Sequence, residues 1–190
     1  MKKAIGLTIV FAFALSLSPI YAQAPAQNAA PVGPKDAPKP TTAVLIKDAA
    51  VQAKLKDMIE KRQQDESIRL VSTGEGGNLG VFLIRLNPTP QPAEPVTLMS
   101  HNDVSEVYYV LKGEGIIYHG GTFEGATPRQ TRPAGPGMGG PSKDKIMENV
   151  GPGDIFIITP NTPHQVNLGA KTEMLYLVVR VDPKKQLEIK

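Results

Sequence analysis

Two of the three histidines in this 190-residue chain stand beside short strand-like segments, 63 positions apart. The first lies in Ser100–Gly115, SHNDVSEVYYVLKGEG, where His101 is followed by Glu106 and, after six residues, by Gly113. The second lies in Gly151–Asn167, GPGDIFIITPNTPHQVN, where His164 directly follows the corner Pro160-Asn161-Thr162-Pro163. Strand ends in an antiparallel barrel can bring two such side chains to one cavity. The chain has no Cys. A thiol nucleophile is therefore excluded, and any metal would be held by nitrogen and oxygen donors, or at most by a Met thioether. Glu106 starts a strand-like run, and an inward carboxylate is costly to bury unless it binds a metal, pairs with a cation or takes up a proton. Two plainer readings stay open at this level: hydrogen-bonded histidines without a metal, and a strand-edge Glu106 in solvent.

The elements that must position these residues are mostly short strands. Residues 67–73, 79–86, 95–100, 106–113, 115–120, 145–150, 153–160 and 173–181, with 164–168 as a further candidate, are rich in β-branched or aromatic residues and are bounded by Gly, Pro, Asn or Asp. This pattern predicts an all-β chain, an antiparallel sandwich or barrel. One helix is expected over 48–65, DAAVQAKLKDMIEKRQQD, with Asp48 as N-cap. Val51, Leu55, Met58 and Ile59 fall on one face, so the helix should pack against the outside of the sheet. Residues 120–144 hold many of the 18 Gly and 18 Pro and read as a long flexible loop, able to close over a barrel mouth.

The start of the chain is different. MKKAIGLTIVFAFALSLSPIYAQA has two Lys, an apolar run and small residues at Ala22 and Ala24. That is the pattern of a secretory signal, with cleavage after Ala22 preferred because cleavage after Ala24 would leave Pro25 first. Residues 1–22 are thus expected to be a signal peptide and the protein periplasmic or secreted, with no stable membrane insertion after cleavage. Residues 23–45 are Ala- and Pro-rich and read as a disordered linker, leaving residues 46–190 as one domain. The formal charge of +3 falls to about +1 once Lys2 and Lys3 are removed from the 21 Lys and Arg, against 18 Asp and Glu. No basic stripe with interleaved aromatics is present, so nucleic acid is not expected as a partner. A nucleophile elbow, a P-loop and a dinucleotide fingerprint are also missing from the sequence.

The two histidine segments together resemble the paired motifs of the cupins. Glu106 and Gly113 have the spacing of that family's first motif, and His101 falls at its second His. Gly153 and His164 fit the second motif, with Thr159 at its Pro, Asn161 at its Gly, and Asn167 one residue before its Asn. Asn tolerates the left-handed backbone that the family Gly supplies. The resemblance covers about residues 67–182. It implies a cupin-like antiparallel β-barrel of jelly-roll type and a metal held by His101, Glu106 and His164. The family's first His falls on Met99, so the fourth ligand is Met99, or Asp103 in an alternative register, or absent. Such a site suits Fe, Mn, Ni, Zn or, with a thioether, Cu. The implied function is a metal-dependent enzyme of oxygenase, decarboxylase, lyase or isomerase type acting on a small molecule. The alternative is a non-catalytic periplasmic module that binds a small ligand. Tyr108 shares the face of Glu106 and is a candidate for proton transfer. Arg85 and Arg180, in otherwise apolar strands, are candidates for an anionic substrate. Edge strands would allow a homodimer.

Overall fold

The computed structural model of the protein describes residues 37, 39–90, 92–131, 133–167 and 172–187. The expected signal peptide and most of the expected linker lie outside the described residues. Among the described residues one α-helix, α1 (Asp48–Lys61), precedes twelve strands, with a short 3-10 turn at Gly74–Gly76 between the first two. These are β1 (Asp65–Ser72), β2 (Asn78–Leu86), β3 (Thr97–His101), β4 (Ser105–Lys112), β5 (Gly115–His119), β6 (Thr122–Phe123), β7 (Thr127–Thr131), β8 (Gly135–Lys143), β9 (Ile146–Val150), β10 (Ile155–Ile158), β11 (His164–Asn167) and β12 (Met174–Asp182). They form two antiparallel sheets. One has the order β1-β2-β12-β4-β10; the other runs β6-β8-β3-β11-β5-β9, with β7 also paired to β8.

Alternation decides which side chains enter the space between the sheets. In β4, Glu106, Tyr108 and Val110 are buried while Tyr109 and Leu111 are exposed. Residues i and i+2 of a strand share a face, so Glu106 faces inward together with the apolar residues that build the core. That core joins Phe82, Ile84, Val104, Tyr108, Ile117, Val166, Tyr176 and Val178 from both sheets. β2 is apolar on both faces for a reason: Phe82 and Ile84 belong to the inner core, and Leu83 belongs to a second cluster under α1.

α1 packs on the outer face of the five-stranded sheet. Met58 is fully buried there with Leu83 and Leu175, flanked by Val51, Leu55, Ile68 and Leu177. Burying a Met side chain contributes about 1.5–3 kcal/mol. Ile59 lies off this stripe and is half exposed. The N-cap is Lys47 rather than Asp48, which stands in the first turn and accepts a hydrogen bond from the Gln52 amide. There its charge favours the positive end of the helix dipole. The helix also ends at Lys61, short of the expected 48–65. Arg62 adopts a left-handed conformation (φ 56°) at the C-cap. The chain then turns, and Asp65 opens β1 instead of closing α1.

The Gly- and Pro-rich segment is not a loop. It builds β6, β7 and β8, and β8 is an interior strand that pairs β3 along Thr97–His101. Its glycines serve close packing. A Cβ on Gly137 would stand 1.7 Å from the Ser100 carbonyl oxygen on β3, so no other residue fits there. Composition alone does not separate glycine used for mobility from glycine used for backbone approach.

Two corners shape the histidine segments. Gly113 has a positive φ of 80°, and a Cβ there would meet the Glu173 carbonyl oxygen at 2.1 Å. Asn161 is left-handed (φ 63°), and its backbone N–H donates to the His101 carbonyl at 2.7 Å. Asn therefore does fill the conformation expected of Gly at this corner.

Candidate metal centre

His101 ends β3, Glu106 is the second residue of β4 and His164 begins β11, so the three side chains come from both sheets. All three are buried, and their ligand atoms lie within 4.8 Å of one another. The Nε2 atoms of His101 and His164 are 3.4 and 3.3 Å from the same oxygen, Glu106 Oε2. Two donors on one tetrahedral ion stand about 3.3–3.6 Å apart, given bond lengths of 2.0–2.2 Å.

Hydrogen bonds fix which imidazole nitrogen carries the proton. His101 Nδ1 lies 2.9 Å from Thr131 Oγ1, and that hydroxyl donates its own proton to the Gly135 carbonyl at 2.7 Å. Thr131 can then only accept from His101, so the proton is on Nδ1. His164 Nδ1 lies 2.9 Å from the Thr162 carbonyl, which can only accept. With Nδ1 of each ring used as a donor, Nε2 is the atom left to face Glu106 Oε2. Three potential donor atoms meet at one point, an arrangement that a cation would bind. Protonating both rings would instead put two buried imidazolium ions on one carboxylate oxygen. The donor set fits a divalent transition metal.

Glu106 is completely buried and still ionised. Burial pushes its carboxyl up. The Arg180 guanidinium, the largest opposing cause, holds it well below the usual carboxylate range. Arg180 Nε donates to Oε1 at 2.7 Å, and the Tyr108 hydroxyl donates to Oε2 at 2.8 Å. The other two Arg180 nitrogens form a fork on Asp65 at 3.1 and 2.8 Å, and the guanidinium lies 4.4 Å from the Phe82 ring centre. Burial works against the Arg180 charge, but Asp65 and Glu106 raise its pKa further. Burial, followed by the Glu106 charge, lifts the Tyr108 hydroxyl well above its ordinary range. Tyr108 is therefore a standing donor to Glu106 and not a ready base.

The cluster opens into a cavity of about 270 Å³ lined also by Met99, Arg129, Thr131, Gln165 and Tyr176. Met99 is on this wall, opposite His164 in register. Asp103 is not. It points to Lys184 at 2.7 Å and Gln186 at 2.9 Å, which removes it as a fourth ligand. Arg85 is also outside the cavity, paired with Glu173. Ile84 and Leu86 line the cavity, so alternation turns the residue between them away. Arg180 lines the cavity with its guanidinium committed to two carboxylates, so it positions Glu106 and is not a free anion clamp. The third histidine, His119, lies apart from the cluster, with Nε2 3.6 Å from Glu148.

Three contributors escape a reading of the sequence. Asp65 looks like the end of an amphipathic helix. Thr131 and Arg129 lie in the Gly- and Pro-rich stretch, where no strand pattern marks them.

No family model matches the chain, and no curated protein does. Solved structures give distant likenesses. A cupin protein from Bacteroides fragilis is 21% identical over 56% of this chain and 67% of its own, with a TM-score of 0.34. An oxalate oxidase is 16% identical over 58% of this chain and 45% of its own, with a TM-score of 0.38. An iron(II) structure of HppE is 14% identical over 54% and 43%, with a TM-score of 0.38. The matched region spans less than half of the last two chains, and the site is read from this chain's own residues. The paired motifs and the order of strands in the two sheets together give the chain a cupin-like jelly-roll fold.

Proposed function

We propose that this chain is an exported metal-dependent enzyme acting on a small molecule. The observation that carries the reading is the convergence of two Nε2 atoms and Glu106 Oε2 on one point, with Nδ1 of each ring held by Thr131 and the Thr162 carbonyl. A divalent Fe, Mn, Ni, Zn or Cu ion held by His101, Glu106 and His164 would supply Lewis-acid or redox chemistry of oxygenase, decarboxylase, lyase or isomerase type. The chain's own residues prepare that site. Arg180 occupies Oε1 of Glu106 and leaves Oε2 as the donor facing the imidazoles. Tyr108 keeps its proton at Oε2. Ile84, Leu86, Ala134 and Val166 give the cavity apolar wall that limits water around a bound molecule. Three protein donors leave room on the ion for a substrate atom.

One observation favours a second reading, a binding module without turnover. Asp65 and Glu106 are both committed to Arg180, and Tyr108 is committed to Glu106. Among the described residues lining the cavity, no free carboxylate is left to act as a general base. Titrating the metal-free protein with Fe, Mn, Ni, Cu and Zn while following the melting temperature and small-molecule turnover separates the cases. Metal-dependent turnover supports the enzyme, and metal-dependent stabilisation with ligand binding alone supports the module. A melting temperature that ignores all five ions sinks the metal-based reading. Export belongs to the same proposal, and N-terminal sequencing of the mature protein tests it: a start at Gln23 is expected, and a start at Met1 refutes it.

A further inference from the structure

Among the described residues, a cation without a counter-ion lines the cavity. The Asp, Glu, Lys and Arg side chains among its lining residues are Asp65, Glu106, Arg129 and Arg180. Three of these form one closed network. Arg129 has no ion pair or hydrogen bond among the described residues. Its backbone is placed by β7, where Arg129 pairs Gly137 of β8, and Gly137 pairs His101 of β3. Arg129 and His101 thus share one row of the sheet, two strands or about 10 Å apart. The residue between them has no side chain, and Arg129 and His101 line the same cavity. A second glycine seats the arginine: a Cβ on Gly139 would come 3.1 Å from Arg129 Cδ.

The charges then select a ligand class. Two carboxylates and two guanidiniums on the cavity wall cancel. Among the described lining residues, a divalent ion on His101, Glu106 and His164 leaves two positive charges with no protein anion to balance them. The cavity volume of about 270 Å³ lies at the small end of the range for small-molecule sites, which favours a small ligand.

We infer that the cavity takes a short-chain dicarboxylate, with one carboxylate at the metal centre and the other on the Arg129 guanidinium. This rests on the metal centre proposed above. Arginine presents a planar fork that matches a carboxylate, which a lysine ammonium does not.

The test uses the metal-loaded full chain and isothermal titration with succinate, with neutral succinamide as control. Succinate is expected to bind and succinamide not to bind. Arg129→Gln is expected to weaken succinate by about ten-fold or more, with metal content and melting temperature unchanged. Arg129→Lys should fall between the two. A chain that loads metal and binds succinate equally well as Arg129→Gln overturns the role of Arg129 alone. Equal binding of succinate and succinamide, or no binding of malonate, succinate or glutarate, overturns the ligand class. A chain that loads no metal overturns the reading beneath it, and the metal assay reports that separately.

Discussion

Replacing Arg180 by Met tests how the buried carboxylate is held. Met has a similar length and no charge. The wild-type guanidinium bridges Glu106 Oε1 at 2.7 Å and both oxygens of Asp65 at 3.1 and 2.8 Å. Glu106 is fully buried, while the Asp65 side chain is a quarter exposed. The variant therefore leaves one carboxylate with no route to water and a second with partial access. Removing one partner of a buried pair costs about 3–5 kcal/mol, and most of that should fall on Glu106. The pH dependence has a definite sign. In the wild type the folded Glu106 pKa is lowered from 4.5, so its contribution is present above that value and lost as pH falls through the folded one. Without Arg180, burial dominates and the folded pKa rises above the unfolded value. The penalty is then full at neutral pH and is relieved as acid neutralises the carboxylate. Urea unfolding of both proteins with metal chelated, at pH 7.5 and pH 5, measures this. The expected difference between wild type and variant is about 3–5 kcal/mol at the higher pH and clearly smaller at the lower. A difference below about 1 kcal/mol, the scale of an exposed ion pair, or one that does not change with pH, refutes the reasoning.

Other predictions follow from the same geometry. Thr131→Val removes the acceptor that fixes His101 Nδ1; metal affinity should fall about 10- to 100-fold in a competition assay, and an unchanged affinity counts against the tautomer argument. Tyr108→Phe removes the donor to Glu106 Oε2; thermal or urea unfolding should show the metal-free protein losing about 1.5–3 kcal/mol and the metal-loaded protein less, because an ion would also satisfy that oxygen. Gly137→Ala puts a Cβ 1.7 Å from the Ser100 oxygen; soluble yield and circular dichroism should show a chain that fails to fold, and a stable Gly137→Ala protein would contradict the close approach of β8 to β3.

How much was legible in the sequence depended on the kind of signal. Alternation placed Glu106 and Tyr108 on one inner face because a strand has period two, and the structure keeps that face buried. Turn residues marked the strand ends, and Asn161 takes the left-handed conformation expected at its corner. The resemblance paired His101 with His164 across 63 positions, which periodicity alone cannot do. The losses have physical causes. Asp65 closes a polar run that continues the helix stretch without a break signal, yet a single left-handed residue, Arg62, ends α1 first. β8 was read as a loop because glycine signals both freedom and crowding. Arg180 looked available for a ligand because a sequence shows a charge and not its partners, here Asp65 and Glu106. Arg85 looked the same, and only its outward phase between Ile84 and Leu86 explains why it reaches Glu173 instead.

The central claim is that three inward donor atoms form a metal centre. Elemental analysis of the natively purified protein, beside His101→Ala and His164→Ala, tests it most directly. The account predicts about one divalent transition-metal ion per chain, lost in both variants while the fold persists by circular dichroism. A wild-type protein that is metal-free and takes up none of Fe, Mn, Ni, Cu or Zn, or variants that keep their metal, would contradict it.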